Sequence, residues 1–407
     1  MQRSWVEVSP ESHFPIQNLP LGVGRIDAGS PRLVTRIGDQ VLDCESLREL
    51  GLLGEAFVRP LVDLTSVNRQ EARELRHRLS ELLDTENSEL NRLPDLSTFV
   101  CSVDRVEMQL PCRIPAFVDF YSGIHHASNV GRMFRPDMPP LLPNYRYLPV
   151  GYNGRASTVV VSGSQINRPS GQFKRADSDV PVFGPTQELD YELEVGFFLA
   201  EGNGAGKPIS VNDAESHMQG LVLVNDWSAR DFQRWEYQPL GPFLAKSFAT
   251  SASPWVVSLD ALEPFRVAGV QEPPPLPHLA GRRPSNFDIE LEVALKTPRM
   301  SQPETIARSN VKFLYWSFAQ QLAHQTSNGT RVEPGELYGS GTISGPDPGS
   351  FGSLLEASWR GSRPVVLSET GEKRTFLEDG DEVIFTGYAQ GIGYRIGFGE
   401  LRGQVRA

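Results

Sequence analysis

From Glu188 to Leu199 the chain reads ELDYELEVGFFL, an alternation of acidic and apolar residues with a period of two. Such alternation predicts a β-strand, whose successive side chains point to opposite faces. Asp190, Glu192 and Glu194 then share one face, and Tyr191, Leu193, Val195 and Phe197 the other. A column of like charges is costly: at an effective dielectric of about 20, two of them ~4 Å apart repel by roughly 4 kcal/mol. Two readings fit. The face is solvated on an edge strand, or a cation removes the repulsion, and hard divalent ions favour carboxylate oxygens.

Other stretches carry equally clear patterns. RLVTRIGDQVLD predicts a hairpin turning at Gly38 and Asp39. Asn68 to Leu83 predicts a helix, capped by Asn68 with Glu71 and striped by Leu75, Leu79, Leu82 and Leu83. Asn212 and Glu215 form a capping-box pattern before a short helix, and GLVLVND, Gly220 to Asp226, then makes a continuous apolar strand ending on an acid. That carboxylate belongs at a sheet rim, where sites are commonly built. SARDFQRWEY predicts a helix with Arg230, Gln233 and Tyr237 on one face. FDIELEVAL repeats the acid alternation with Asp288, Glu290 and Glu292, but no neighbouring histidine or acid-ended strand joins it, so a solvent face is expected. Asn310 to Thr326 predicts one helix buried through Val311, Leu314, Tyr315, Phe318 and Leu322. His125 and His126 follow a Ser-Gly break, which suits a loop at a strand end. The end, GDEVIFTGYAQGIGYRIGFGE, has hairpin character.

Composition sharpens this picture. With 37 glycines and 32 prolines in 407 residues, a turn-rich, mostly β architecture is expected over a helical one. The length suits two domains, and the loop-like stretch around Leu90 to Pro115 sets the expected boundary: residues 1–112 and 113–407. The net charge of −11 and the absence of a basic stripe argue against nucleic acid as the main partner. No run approaches the ~18 apolar residues that a membrane span needs. Cys44, Cys101 and Cys112 lack metal-like spacing, and MQRSWVEVSP lacks the apolar core of a signal peptide, so a cytoplasmic location is expected. Gln271 to Asn286 is proline-rich and expected to be an exposed loop.

The candidate chemistry gathers in the second half. Asp119, Glu192, Glu194 and Asp226 are the acids, and four carboxylates suffice for a hard metal site with positions left open. His126 with Glu356 makes a possible base and its orienter. Lys246 stands alone among small and apolar residues, and a buried lysine needs a reason. Arg230, Gln233, Tyr121, Arg135 and Tyr152 are polar groups near the same elements.

Taken together, FPIQNLPLGVG, DFYSGIHHASNVGRMFR, LPVGYNGRAS, LDYELEVGFF, the stretch LVNDWSARDFQRWEYQPLGPFLAKSFATSASPWVV, GSGTISGP and GYRIGFG resemble the fumarylacetoacetate hydrolase family. The resemblance runs nearly the full length, and DFY…H and WEYQPLGPF carry its finer part. It implies a small N-terminal SH3-like β-barrel followed by a larger mixed β-roll domain, in a homodimer. It implies Ca²⁺ held by Asp119, Glu192, Glu194 and Asp226, and Mg²⁺ near Asp226 through Lys246 and Thr250. A protonated lysine has no acceptor, so its backbone carbonyl is expected to serve. Tyr121, Arg135, Tyr152, Gln233, Tyr237 and Thr342 are implied as substrate contacts, His126 as the base with Glu356 as its partner, and Arg230, Gln233 and Lys246 as further catalytic groups. The implied reaction is hydrolysis of the carbon–carbon bond of 4-fumarylacetoacetate. An acylpyruvase-like hydrolase or a decarboxylase shares the Glu, Glu and Asp ligands, and a Ca²⁺-stabilised binding protein would need the acids but not His126 with Glu356. Where the family often has histidine after the tyrosine of VGYHGR, this chain has Asn153.

Overall fold

The computed structural model describes all residues except 1, 88, 91, 92, 94 and 176; three of these fall in the stretch expected to be loop-like and lie outside the described residues. The fold is mainly β with some α. Near the N-terminus, an antiparallel sheet runs in the order Val100–Ser102, Gln40–Asp43, Arg32–Ile37, Leu21–Ile26, Val106–Gln109. The hairpin falls where the pattern places it: Ile37 pairs with Gln40 across Gly38, whose φ is +54°. The helix Arg69–Leu83 is closed by a reciprocal capping box between Asn68 and Glu71, and it buries Ala72, Leu75, Leu79, Leu82 and Leu83.

A seven-stranded mixed sheet forms the centre, in the order Gly151–Asn153, Phe117–Phe120, Leu337–Gly339, Leu193–Leu199, Met218–Asp226, Thr250–Ala252, Val159–Val161. Its central strands are buried along their whole length, because both faces are covered. Phe197, Leu221 and Leu223 enter the main core. Phe198, Val222, Val224, Phe117 and Leu337 face the other way and share one apolar cluster with Leu75, Leu79 and Leu82 of the N-terminal helix. By the same alternation, Asp119, Glu194, Asp226 and Gly339 lie on the face that the N-terminal part covers. A further five-stranded sheet contains the long C-terminal hairpin Glu382–Gly391 and Tyr394–Arg406, with Glu290–Lys296 beside it. Glu290 and Glu292 point outward to Tyr388 and Arg308, as expected for a solvent face.

Three expectations are corrected. The segment from Asn310 is not one helix: a 3₁₀ turn, Val311–Phe313, is followed by extended chain, and the helix Phe318–Thr326 starts afresh at a Ser317 cap with Gln320. Leu314 bridges Gly123 and Tyr315 N–H donates to Ser122, so tertiary pairing overrides the helical stripe. Asn212 caps nothing, since its side chain accepts from Arg282 N–H, and only a 3₁₀ turn, Ala214–His217, forms. His125 and His126 sit in the first turn of a helix, Ile124–Phe134, rather than in a loop. The Gln271–Asn286 stretch is mostly exposed, as expected.

Candidate active site

Asp119, Glu192, Glu194 and Asp226 converge, each offering an oxygen within 4.8 Å of the others, and all four are buried. The sheet explains why. Asp119 stands opposite Gly339, Gly339 lies on the strand between those of Asp119 and Glu194, and Glu194 is one register away from the strand that ends at Asp226. Gly339 makes the room: a Cβ there would come within 2.6 Å of Asp119 Oδ1 and 2.7 Å of Glu194 Oε2. Gly341 N–H donates to both carboxylates, at 3.2 and 3.1 Å.

The acid column does not stay together. The strand breaks after Asp190, so Leu189–Asp190 pairs with Ser228–Ala229 and only Glu192 and Glu194 turn into the cluster.

Two cations touch the cluster. Lys246 Nζ lies 2.7 Å from Glu192 Oε2 and 2.7 Å from Asp226 Oδ2, which gives the buried lysine its partners. Arg230 Nη1 lies 2.6 Å from Glu192 Oε1. Burial would raise the Glu192 carboxyl, but Lys246 and Arg230 hold it far below the ordinary range. Burial raises Asp119 and Glu194 well above that range, reinforced by the Asp226 charge on Asp119 and by the Asp119 and Asp226 charges on Glu194. Four carboxylates against Lys246 and an Arg230 that is shared with Asp190 leave net negative charge in a buried place, which protons or a divalent cation neutralise. Glu194 Oε1 is buried without a hydrogen-bond partner. An all-oxygen donor set with that charge and an orphaned acceptor fits a hard divalent ion.

His126 Nδ1 lies 2.6 Å from Glu356 Oε2. The same carboxylate accepts from Asn129 Nδ2 at 2.9 Å, Ser344 Oγ at 2.8 Å and Ser353 Oγ at 2.9 Å. Burial would raise Glu356, yet the His126 charge and these hydrogen bonds hold it below the ordinary carboxylate range. A carboxylate only accepts, so Nδ1 carries the hydrogen, and in the neutral ring Nε2 is the acceptor.

His126 and, of the four acids, Asp119 and Glu192 reach one cavity of about 580 Å³. Asp119, Tyr121, His126, Arg135, Tyr152, Glu192, Arg230, Gln233, Tyr237 and Lys246 line it, while Leu141, Leu142 and Pro242 belong to its apolar wall. Arg230 and Gln233 come from the helix Arg230–Glu236, with Tyr237 at its cap, so the predicted polar face is the one turned inward. Tyr152 Oη donates to Asp226 Oδ2 at 2.8 Å, and Thr250 Oγ1 to Asp226 Oδ1 at 3.1 Å. Thr342 is buried beside Gly123 and Gly352 with its Oγ1 unpartnered, outside the cavity wall. Asn153 is exposed and does not line the cavity. Sequence reasoning missed Asn129, Ser344 and Ser353. Asn129 had one available signal: it lies three positions after His126, on the same helical face.

Two family models match the chain: fumarylacetoacetate (FAA) hydrolase C-terminal over residues 116–406, and fumarylacetoacetase N-terminal over residues 17–111. Fumarylacetoacetase of Bos taurus is 49% identical, with 99% of this chain and 98% of that one covered. The Homo sapiens protein of that name is 48% identical and the Arabidopsis thaliana one 46%, each at the same two coverages. Among solved structures, a fumarylacetoacetate hydrolase from Exiguobacterium antarcticum superposes with a TM-score of 0.52 at 16% identity, covering 96% of this chain and 99% of that one. That likeness speaks to the fold alone. With both halves matched and near-full-length identities close to one half, the chain belongs to the fumarylacetoacetase family.

Proposed function

We propose that this protein hydrolyses the carbon–carbon bond of 4-fumarylacetoacetate to fumarate and acetoacetate, as the names of its relatives suggest. The observation that carries the reading is that His126, held by Glu356, and two of the four clustered acids, Asp119 and Glu192, line the same cavity. A cation-binding protein without catalysis has no use for a buried, carboxylate-held imidazole beside its acids. An acylpyruvase-like relative shares the acids, so the choice of substrate rests on the near-full-length identity.

His126 Nε2 takes a proton from water, while Glu356 holds the ring in that tautomer and stabilises the imidazolium that forms. The resulting hydroxide attacks the carbonyl carbon. Arg230, Gln233 and Lys246 offset the charge that builds on the carbonyl oxygen. Cleavage leaves the bonding electron pair on the departing carbon, and the proton held by His126 is available to it. Arg135, Tyr121 and Tyr237 hold the substrate's carboxylates, a task that suits the paired donors of arginine. Tyr152 completes the substrate contacts on the cavity wall, whereas Thr342, expected among them, does not line the cavity. A Ca²⁺ ion held by Asp119, Glu192, Glu194 and Asp226 would act as a Lewis acid for the diketone oxygens. A structural Mg²⁺ would draw on Asp226, the Thr250 hydroxyl and the backbone carbonyl of Lys246. The same reading carries a catalytic part at 113–407 on an N-terminal part at 1–112, a homodimer and a cytoplasmic location.

The test is loss of diketone absorbance on adding fumarylacetoacetate to purified protein, beside an acylpyruvate control. The reading expects fumarate and acetoacetate in equal amounts, and turnover reduced by ~10² or more in His126→Ala with the fold intact. No turnover by the wild type, or preference for the acylpyruvate, would overturn it.

A further inference from the structure

Asp190 is the member of the acid column that leaves the cluster, and it is wholly buried. Its Oδ2 accepts from Arg230 Nε at 2.9 Å and from Leu355 N–H at 3.0 Å. Its Oδ1 accepts from Leu354 N–H at 2.8 Å. These partners belong to separate parts of the site. Arg230 lines the cavity, whereas Leu354 and Leu355 open the short helix Leu354–Ala357 that presents Glu356. Arg230 is held a second time through Nη1, by Glu192 at 2.6 Å and Gln233 at 3.1 Å. Its Nη2 is buried with no hydrogen-bond partner among the described residues. A planar guanidinium fixed at two nitrogens cannot roll, so the third is presented in one direction. With Glu192 alone as an anchor, the plane could pivot about that contact.

We propose that Asp190 is a positioning residue of the reaction: it sets the roll of Arg230, and so the edge of the guanidinium that lines the cavity, and it ties the Glu356 helix to the same anchor. One carboxylate thus keeps the groups that act on opposite sides of the bond change in register. The inference rests on the hydrolase reading above. Its bland rival is that Asp190 only satisfies a buried arginine and the backbone N–H groups of Tyr191, Leu354 and Leu355.

The experiment compares kcat and KM for fumarylacetoacetate among the wild type, Asp190→Asn, Arg230→Lys and the double variant, with an unfolding midpoint for each. Asp190→Asn keeps the shape and one acceptor but removes the anion opposite Arg230. The expected result is a kcat reduced ~10-fold or more with KM moved by less than ~3-fold, since Arg135, Tyr121 and Tyr237 are untouched. The double variant should lose little beyond Arg230→Lys alone, because both changes break one unit. A merely structural Asp190 would lower the midpoint and leave kcat, or give losses that multiply, and either result overturns the proposal. If Asp190→Asn does not fold, Asp190→Glu decides: it keeps the anion but displaces it by one methylene, so wild-type kcat there overturns the proposal and a kcat loss at little-changed KM supports it. His126→Ala is assayed alongside. Full activity in that variant defeats the underlying reading itself, whereas a dead His126→Ala with an active Asp190→Asn defeats only this inference.

Discussion

His126 Nδ1 stands 2.6 Å from Glu356 Oε2, with 230 positions between them in the chain and both side chains buried. Glu356 is gripped by three further donors, so its charge is native-state structure as well as an aid to the imidazole. Glu356→Gln should therefore cost activity and pH-dependent stability together. Turnover should drop by ~10² or more, since an amide neither fixes the tautomer nor stabilises the cation. The sign of the stability effect follows from the depressed carboxyl. A carboxylate with a lowered folded-state pKa adds stability above its unfolded value of about 4.3 and loses it as pH falls through the folded value. The gap in unfolding midpoint between wild type and Glu356→Gln should be widest near neutrality and close on acidification. A gap that widens in acid would contradict this account.

Removing divalent ions should destabilise the protein as well as silence it. Without a cation, Asp119 and Glu194 are held in a place that disfavours their charge. A ligand that binds only the folded state stabilises it by about 2.7 kcal/mol when present at 100 times its Kd. Treatment with a chelator should lower the thermal midpoint, and adding back Ca²⁺ should restore it together with turnover. Glu194→Gln should shrink that Ca²⁺-induced shift. Metal analysis of the untreated protein identifies the ion, and a midpoint indifferent to chelator and Ca²⁺ would remove the cation from the cluster.

Gly339 offers a test through the backbone. Its missing side chain leaves space into which Asp119 and Glu194 reach, and a methyl group would collide with both carboxylates. Neither is the far end of a flexible chain: Asp119 is short, and both accept from Gly341 N–H. Gly339→Ala should thus displace the acids and weaken Ca²⁺ binding, read by titration calorimetry, by ~10-fold or more, the scale at which support of metal ligands acts. The His126–Glu356 pair is on other elements and should survive. Wild-type affinity in this variant would mean that the cluster has more freedom than the sheet allows.

Much of the site was legible because its residues sit on regular elements. Glu192 and Glu194 flank the start of a strand, Asp226 ends one, and Arg230, Gln233 and Tyr237 share a helical face, so periodicity exposed them as candidates while the resemblance implied their roles. The fate of Asp190 was not legible, because alternation continues through 191 and 192 while the hydrogen bonding changes partner. Nor was the broken helix after Asn310: its apolar spacing is helical, but Leu314 and Tyr315 are held by Gly123 and Ser122, nearly two hundred positions earlier. Local pattern records what a segment can form, and distant partners decide what it does form. The donors around Glu356 come from three separate segments, and only Asn129 and Ser353, the latter in a Ser-x-x-Glu capping pattern with Glu356, leave a local trace.

The N-terminal helix allows a control on how far the site depends on the sheet behind it. Asn68 Oδ1 accepts from Glu71 N–H at 2.9 Å, and Glu71 Oε2 accepts from Asn68 N–H at 2.8 Å. Asn68→Ala removes the first of these bonds and should destabilise the protein by about 1 kcal/mol, seen as a lower urea midpoint. The helix shares an apolar cluster with Phe198, Val222 and Val224, on the sheet face that also carries Asp119, Glu194 and Asp226. A lost cap frays the first turn but leaves Leu75, Leu79 and Leu82 in place further along. kcat and KM should therefore match the wild type at temperatures well below the transition. If kcat fell along with stability, the N-terminal packing would have to act on the position of the acids, and the site could no longer be treated as set by the strands alone.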